Sequence, residues 1–268
     1  MMNLDFNRIC VGLVTFISLA LLPSRAFAQC PDSIPVMPPG MVAGCDNVPG
    51  YITEQVKKAT TFRANCVKSG KPAGQLSPDG DIGINDLSKS PGTMYLFDNQ
   101  GKCLGSTAVA YGGGQGNAAE GNCHDTTLQP VSCTQDKSFL TPPGYHAVGK
   151  CGDCKSTVQG LIPCERLSGL QGQNTGSRGV LIHGSDHAGS SCTEGCSGVT
   201  RGDELNYVLA ALGGGGLLDN YFGTSSSSNS CSYDAGKDFD SSDGSNCSAD
   251  AAGQSDSQNP AVSSKVAP

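Results

Sequence analysis

Val180-Leu181-Ile182-His183-Gly184, followed after a polar loop by Thr193-Glu194-Gly195-Cys196-Ser197-Gly198, is the stretch on which the reading turns. Three apolar residues running into His-Gly predict a buried strand that delivers an imidazole to a sheet edge. Downstream, Asp203, Glu204, Leu205, Val208, Leu209 and Leu212 have helical spacing, and Gly213 to Gly216 end that helix. Cys196 therefore stands just ahead of a helix start, where backbone N–H groups and the helix dipole favour a thiolate. A neighbouring His could take its proton, which completes the minimal kit for a cysteine nucleophile. His183 is the first candidate base and His187 the second.

The surroundings suit such a nucleophile. Arg8, an apolar run of 14 residues from Ile9 to Leu22, and Ala26-Phe27-Ala28 form an expected export signal over residues 1–28. The run is too short for a good membrane span. Removing it, with Arg8, Arg25 and Asp5, leaves 15 Lys+Arg against 23 Asp+Glu. That acidic balance argues against nucleic acid as a partner, since phosphate binding needs a basic face. A periplasmic or extracellular protein with no integral membrane segment is expected, as a monomer.

Of the 14 cysteines, Cys10 falls in the signal, which leaves 13 in an oxidising compartment where thiols pair. One must be left over or bridged to another molecule. Cys196 is the natural candidate, because a nucleophile in a disulfide cannot attack; Cys192, four residues upstream, is the competing partner for it. Cys151-Gly152-Asp153-Cys154 with Cys164 has the start of a zinc site, but no fourth ligand stands at a matching interval and export favours disulfides. The acids at Asp79, Asp81 and Asp86, and at Asp238, Asp240 and Asp243, do not fill the ligand positions of an EF-hand loop. Gly112 to Gly116 lacks the Lys-Ser/Thr of a phosphate loop. No metal and no organic cofactor are implied. His124, in a Cys-rich loop beside Asp125, reads as exposed.

Along the chain, residues 29–89 form a Cys/Pro/Gly-rich arm with a short helix marked by Ile52, Val56, Ala59 and Phe62. Residues 90–222 form the core domain. Thr93 to Phe97 and Ser106 to Tyr111 are expected as a hairpin about Asp98-Asn99-Gln100-Gly101. Thr141-Pro142-Pro143-Gly144 turns into a strand at Tyr145 to Val148, and residues 150–178 read as a loop elaboration. The tail, residues 223–268, holds 14 Ser and six Asp and reads as disordered, with a Cys231–Cys247 loop as its one tie.

The order of these pieces resembles the L,D-transpeptidase (YkuD-type) catalytic domain: Met94 to Gly112, Thr141 to Tyr145, Ile182 to Gly184, Thr193 to Cys196 and the helix from Asp203. The resemblance covers roughly residues 90–222 and implies a mostly-β fold. That fold is a YkuD-like β-sandwich with a helix after the nucleophile loop, here rich in disulfides. It also implies Cys196 as nucleophile, His183 as base, and the N–H groups of Gly195 and Cys196 as oxyanion hole. Tyr145, His146, Gly184, Thr193, Glu194 and Arg201 fall where substrate would bind. The implied substrates are peptidoglycan stem peptides, passed through a thioester to an amine or to water. Glu194 stands where the family usually has His, and Gly198 where it has Arg or Asn. The Thr-Glu-Gly-Cys loop also resembles that of peptidoglycan-targeting toxins on the same fold. Cross-linking, trimming and toxin readings stay open, as does a non-catalytic wall-binding protein.

Overall fold

Asp98 closes the first hairpin with its own side chain: Oδ1 accepts from the backbone N–H of Gln100 at 2.9 Å and of Lys102 at 2.8 Å. This local turn brings β2 (Thr93–Phe97) antiparallel to β3 (Cys103–Ala110), with Thr93 opposite Ala108. The computed structural model describes residues 30–43, 47–70, 76–89, 91–112, 140–156, 160–173, 175–176, 178–189, 193, 195–223, 239–245 and 247–248. The expected signal, the loop holding His124, and Cys231 lie outside them.

Around the hairpin stand α1 (Gly50–Ser69), β1 (Ile82–Asp86), β4 (Gly144–Ser156), β5 (Gly160–Gly169), β6 (Leu181–Ser185), β7 (Ser197–Thr200), α2 (Asp203–Leu212) and β8 (Leu217–Tyr221). The sheet closes in the order β1-β2-β3-β7-β6-β5-β4-β8. It is thus a closed barrel, where a β-sandwich was expected. The difference lies in β1 and β8, two five-residue strands that pair in parallel, Ile82 beside Leu217, and join the two edges. So short an apolar segment carries little periodic signal, and its partner is distant in sequence.

Residues 150–178 also depart from expectation. Instead of a loop, β4 and β5 form the longest hairpin, with Cys154 opposite Ile162 and Gly152 opposite Cys164. The Cys and Gly content that suggests a loop supplies a diagonal Cys154–Cys164 disulfide across this pair. Cys151 is joined to Cys30, which staples the N-terminal arm to β4, and Cys103 is disulfide-bonded too. These bonds occupy the sulfurs a zinc site would have needed.

The barrel has two apolar faces because strand side chains alternate. Ile82, Ile84, Phe97, Tyr145 and Leu217 point outward and pack against Ile52, Val56, Ala59, Phe62 and Cys66 of α1. The Phe62 and Tyr145 rings stack at 4.2 Å. That apolar stripe runs the whole of α1, 20 residues where a short helix was expected, to Gly70 in the left-handed region at φ 70°. On the inner face Met94, Leu96, Val148, Leu167, Ile182, Val199 and Leu218 pack against Leu205, Val208, Leu209 and Leu212 of α2. Among the described residues no helix is long and apolar enough to cross a membrane.

The C-terminal segment departs from expectation as well. Residues 239–245 and 247–248 lie along α1, where Cys247 pairs with Cys66 rather than with Cys231, and Lys58 forms an ion pair with Asp240. Gly244 passes so close that a Cβ would meet the Cys66 nitrogen at 2.7 Å. Ser248 N–H donates to Leu170 O at 3.1 Å. Low apolar content hides this docking, because a covalent tie replaces burial as its anchor.

Two carboxyls are buried with no salt bridge among the described residues. Burial pushes Glu165 on β5 up to about 9, and burial with the nearby Asp240 charge pushes Asp219 on β8 up to about 8. Each stays protonated in the fold at neutral pH while the unfolded chain ionises it. Their contribution to stability is therefore complete below the ordinary carboxylate range and is lost as pH rises towards 8–9. Thermal denaturation should show the melting temperature falling between pH 5 and pH 9, and Glu165→Gln should flatten that slope. Replacing Cys66 and Cys247 together by Ala should cost about 2–5 kcal/mol in a denaturant titration.

Candidate active site

Alternation along Leu181-Ile182-His183 decides which side of the sheet carries chemistry. Ile182 belongs to the inner core, so Leu181 and His183 face the opposite way. β7 pairs with β6 in parallel, Ile182 beside Ser197 and His183 beside Gly198, which sets the preceding Cys196 level with Leu181. Cys196 packs in one buried cluster with Leu181, Cys154 and Cys164 and carries a thiol rather than a disulfide sulfur. Cys164 lies in register with His183 on the other flank, so the Cys154–Cys164 disulfide borders the imidazole. His183 and Cys196 are thus diagonal cross-strand neighbours. Diagonal neighbours on one face of a sheet lie within reach of a side chain as long as His.

The tautomer of His183 is set by its own strand. Nδ1 lies 2.9 Å from Gly184 O, and a carbonyl only accepts, so Nδ1 carries the proton and Nε2 keeps a lone pair. Burial lowers the His183 pKa; the Gly184 carbonyl opposes this and the Arg201 charge adds to it. The ring is therefore neutral at pH 7 and able to accept a proton. Arg201 is held there by packing: a Cβ on Gly184 would meet its Cγ at 2.9 Å, and its Nε lies 2.7 Å from Asp186 Oδ1. His187 is exposed in the turn after β6, its backbone N–H donating to Ser185 Oγ at 3.1 Å.

The Cys196 loop is braced on both sides. Thr193 Oγ1 donates to Cys196 O at 2.6 Å, and Thr193 N–H donates to Tyr111 O at 3.1 Å. Gly195 has φ 106°, and a Cβ there would meet Leu140 O at 3.0 Å and Arg178 Nη2 at 3.1 Å. Only glycine suits that backbone. Arg178 Nη2 in turn donates to Leu140 O at 2.6 Å, and Gly112 N–H donates to Thr141 Oγ1 at 2.7 Å. Gly198 is equally confined, since a Cβ would meet that of Ser185 at 2.7 Å, leaving no room for Arg or Asn. Cys192 and Glu194 lie outside the described residues.

Two residues expected along the cleft lie elsewhere. Tyr145 is fully buried, stacked on Phe62 beneath α1. His146, next to it, turns inward beside Leu218 and has no exposed surface. Burial lowers its pKa to about 4, so it is neutral and out of reach of solvent. Alternation turns His146 to the inner face, away from His183, whereas Tyr145 faces outward but is covered by α1. Conversely, Arg178, Asn85 and Asn220 stand in or under the site without having been singled out. Asn85 Nδ2 donates to Ser197 Oγ at 2.9 Å and to Asn220 Oδ1 at 2.8 Å, all three residues being buried. Asn85 Oδ1 has no hydrogen-bond partner among the described residues, at a typical cost of about 1–3 kcal/mol. The only sequence signal is an Asn in the apolar run Ile82-Gly83-Ile84-Asn85. Among the described residues no group of three or more His, Cys, Asp or Glu is placed to hold a metal ion.

Neither a family model nor a curated protein matches this chain. Solved structures do: its fold is similar to that of an L,D-transpeptidase (Yku) from Stackebrandtia nassauensis, at 14% identity and a TM-score of 0.36, over 60% of this chain and 64% of that one. It is also similar to the helical cell shape determining protein Pgp2 from Campylobacter jejuni, at 11% identity and a TM-score of 0.34, over 62% and 55% of the two chains. This chain spans less than two thirds of the length of either.

A neutral His183 is the reactive form, so thiol reactivity at Cys196 should fall as pH drops through its lowered pKa, giving an acid limb below about 6.5. Iodoacetamide labelling against pH measures it; His183→Ala should remove the limb and His187→Ala should keep it. Gly195→Ala should slow labelling about 10²-fold or more by displacing the thiol.

Proposed function

We propose that this chain is a cysteine acyltransferase of the L,D-transpeptidase kind, acting on peptidoglycan stem peptides outside the cytoplasm. One observation carries the reading. A strand-borne imidazole, with its Nδ1 proton committed to Gly184 O, stands diagonal to a thiol at the head of the adjacent parallel strand. The disulfides fit an oxidising compartment. The substrate class comes from the resemblance of the Thr-Pro-Pro-Gly, Ile-His-Gly and Thr-Glu-Gly-Cys segments.

In this reading His183 Nε2 takes the thiol proton as Cys196 Sγ attacks the carbonyl of the third stem residue. An unperturbed thiol, with a pKa of about 8.5, is mostly protonated at neutral pH, so the attack depends on that base. Negative charge collects on the carbonyl oxygen, and the N–H groups of Gly195 and Cys196 receive it; losing one such donor typically costs 10²–10³ in rate. Collapse expels the terminal D-amino acid, whose amine takes the proton from His183. The thioester then passes to an amine of a second stem, or to water in a trimming reaction, with His183 again as base.

Incubation with tetrapeptide muropeptides tests this. Dimers or tripeptides should form, and Cys196→Ala should reduce the rate at least about 10³-fold. Unchanged muropeptides with the unaltered protein, or full turnover by Cys196→Ala, would reject the reading.

A further inference from the structure

We infer that Asn85 is a positioning residue for Cys196, acting through a buried relay that runs from Ser197 through Asn85 and Asn220 to the carbonyl of Pro142. The inference rests on Cys196 as the proposed nucleophile. Asn85 touches neither the thiol nor any expected substrate; it holds the residue next to the nucleophile.

Alternation makes that hold effective. Ser197 directly follows Cys196 and turns inward, where its Oγ accepts from Asn85 Nδ2 at 2.9 Å. An inward Ser197 obliges Cys196 to face outward, the side that carries His183. A turn of the chain at this point would carry the thiol off the His183 face. β7 has only four residues and pairs with β3 through two positions, Val109 with Val199 and Ala110 with Gly198. So short a strand depends on side-chain anchors for its orientation.

The relay also reaches the other side of the nucleophile. Asn85 Nδ2 donates to Asn220 Oδ1 at 2.8 Å, and Asn220 Nδ2 donates to Pro142 O at 2.8 Å. Pro142 follows Leu140 and Thr141, and Leu140 O is the atom against which Gly195 is packed. One chain of buried amides therefore references both neighbours of Cys196, Gly195 and Ser197, to the paired strands β1 and β8. Ser197, Asn85 and Asn220 are at most 2% exposed. An amide whose Oδ1 has no described partner, in an interior lined by Leu96 and Leu218, is a poor choice for stability alone. Leucine would fill a similar volume without the orphaned oxygen. What leucine lacks is the donor to Ser197.

The test measures iodoacetamide labelling of Cys196, located by peptide mass spectrometry, across pH in the oxidised full chain. Asn85→Leu and Ser197→Ala, which removes only a hydroxyl, are compared with the unaltered protein and with the double variant. Each single change should slow labelling about ten- to a hundredfold near neutral pH and move its midpoint up towards about 8.5. The double variant should be no slower than the worse single one, as expected of one connected device. Ser197→Ala carries the test should Asn85→Leu fail to fold. Labelling rates and midpoints that match the unaltered protein overturn the relay, as does a lowered melting temperature with an unmoved profile. Muropeptide turnover separates the two ideas. Turnover with an unmoved profile rejects the relay and keeps the acyltransferase reading. A profile moved by Asn85→Leu without turnover in the unaltered protein keeps the relay and rejects that reading.

Discussion

In the parallel pairing of β6 with β7, Ile182 lies beside Ser197 and His183 beside Gly198. Every feature of the site follows from that register. A shift of one residue would send His183 into the core and bring Ile182 out, because the side-chain period of a strand is two. The inner core holds Ile182 and Val199 in place against α2, so the packing that stabilises the barrel is also what presents the imidazole and the thiol together. The candidate site and apolar burial are two faces of the same strand pair.

The polar parts of the site are set by short-range constraints laid over this register. Gly184 O orients the His183 ring, and Gly195, with its left-handed backbone, lets the chain pass Leu140 O. Neither constraint needs a second charge. Burial leaves His183 neutral, and the nearby Arg201 pushes in the same direction. In the proposed reaction a neutral base stands beside a thiol, rather than a preformed ion pair. Disulfides secure the periphery, one tying the N-terminal arm to β4 and another tying the C-terminal segment to α1.

Much of this was legible in the chain. The β2–β3 hairpin announces itself through Asp98 to Gly101, and α2 spans Asp203–Leu212 as its spacing predicts. His183 and Cys196 stood out because His-Gly and Gly-Cys steps beside apolar runs are local signals. The β4–β5 hairpin was obscured because Cys and Gly signal a loop when their cross-strand partners are unknown. Tyr145 and His146 were misplaced for a different reason. Proximity in sequence to the Thr141-Pro142-Pro143-Gly144 turn says nothing of which sheet face each side chain takes.

The chain by itself determined the β2–β3 hairpin, the helix after Cys196, and His183 and Cys196 as the candidate pair. Each depends on residue types within a few positions of one another, or on composition. Tertiary structure alone decided the closure of the barrel through β1 and β8, the choice of Cys66 for Cys247 at a separation of 181 residues, and the placement of Asn85 under Ser197. Those are pairings between distant segments. Strand alternation limits which faces can meet, but only the packed barrel selects which segments do.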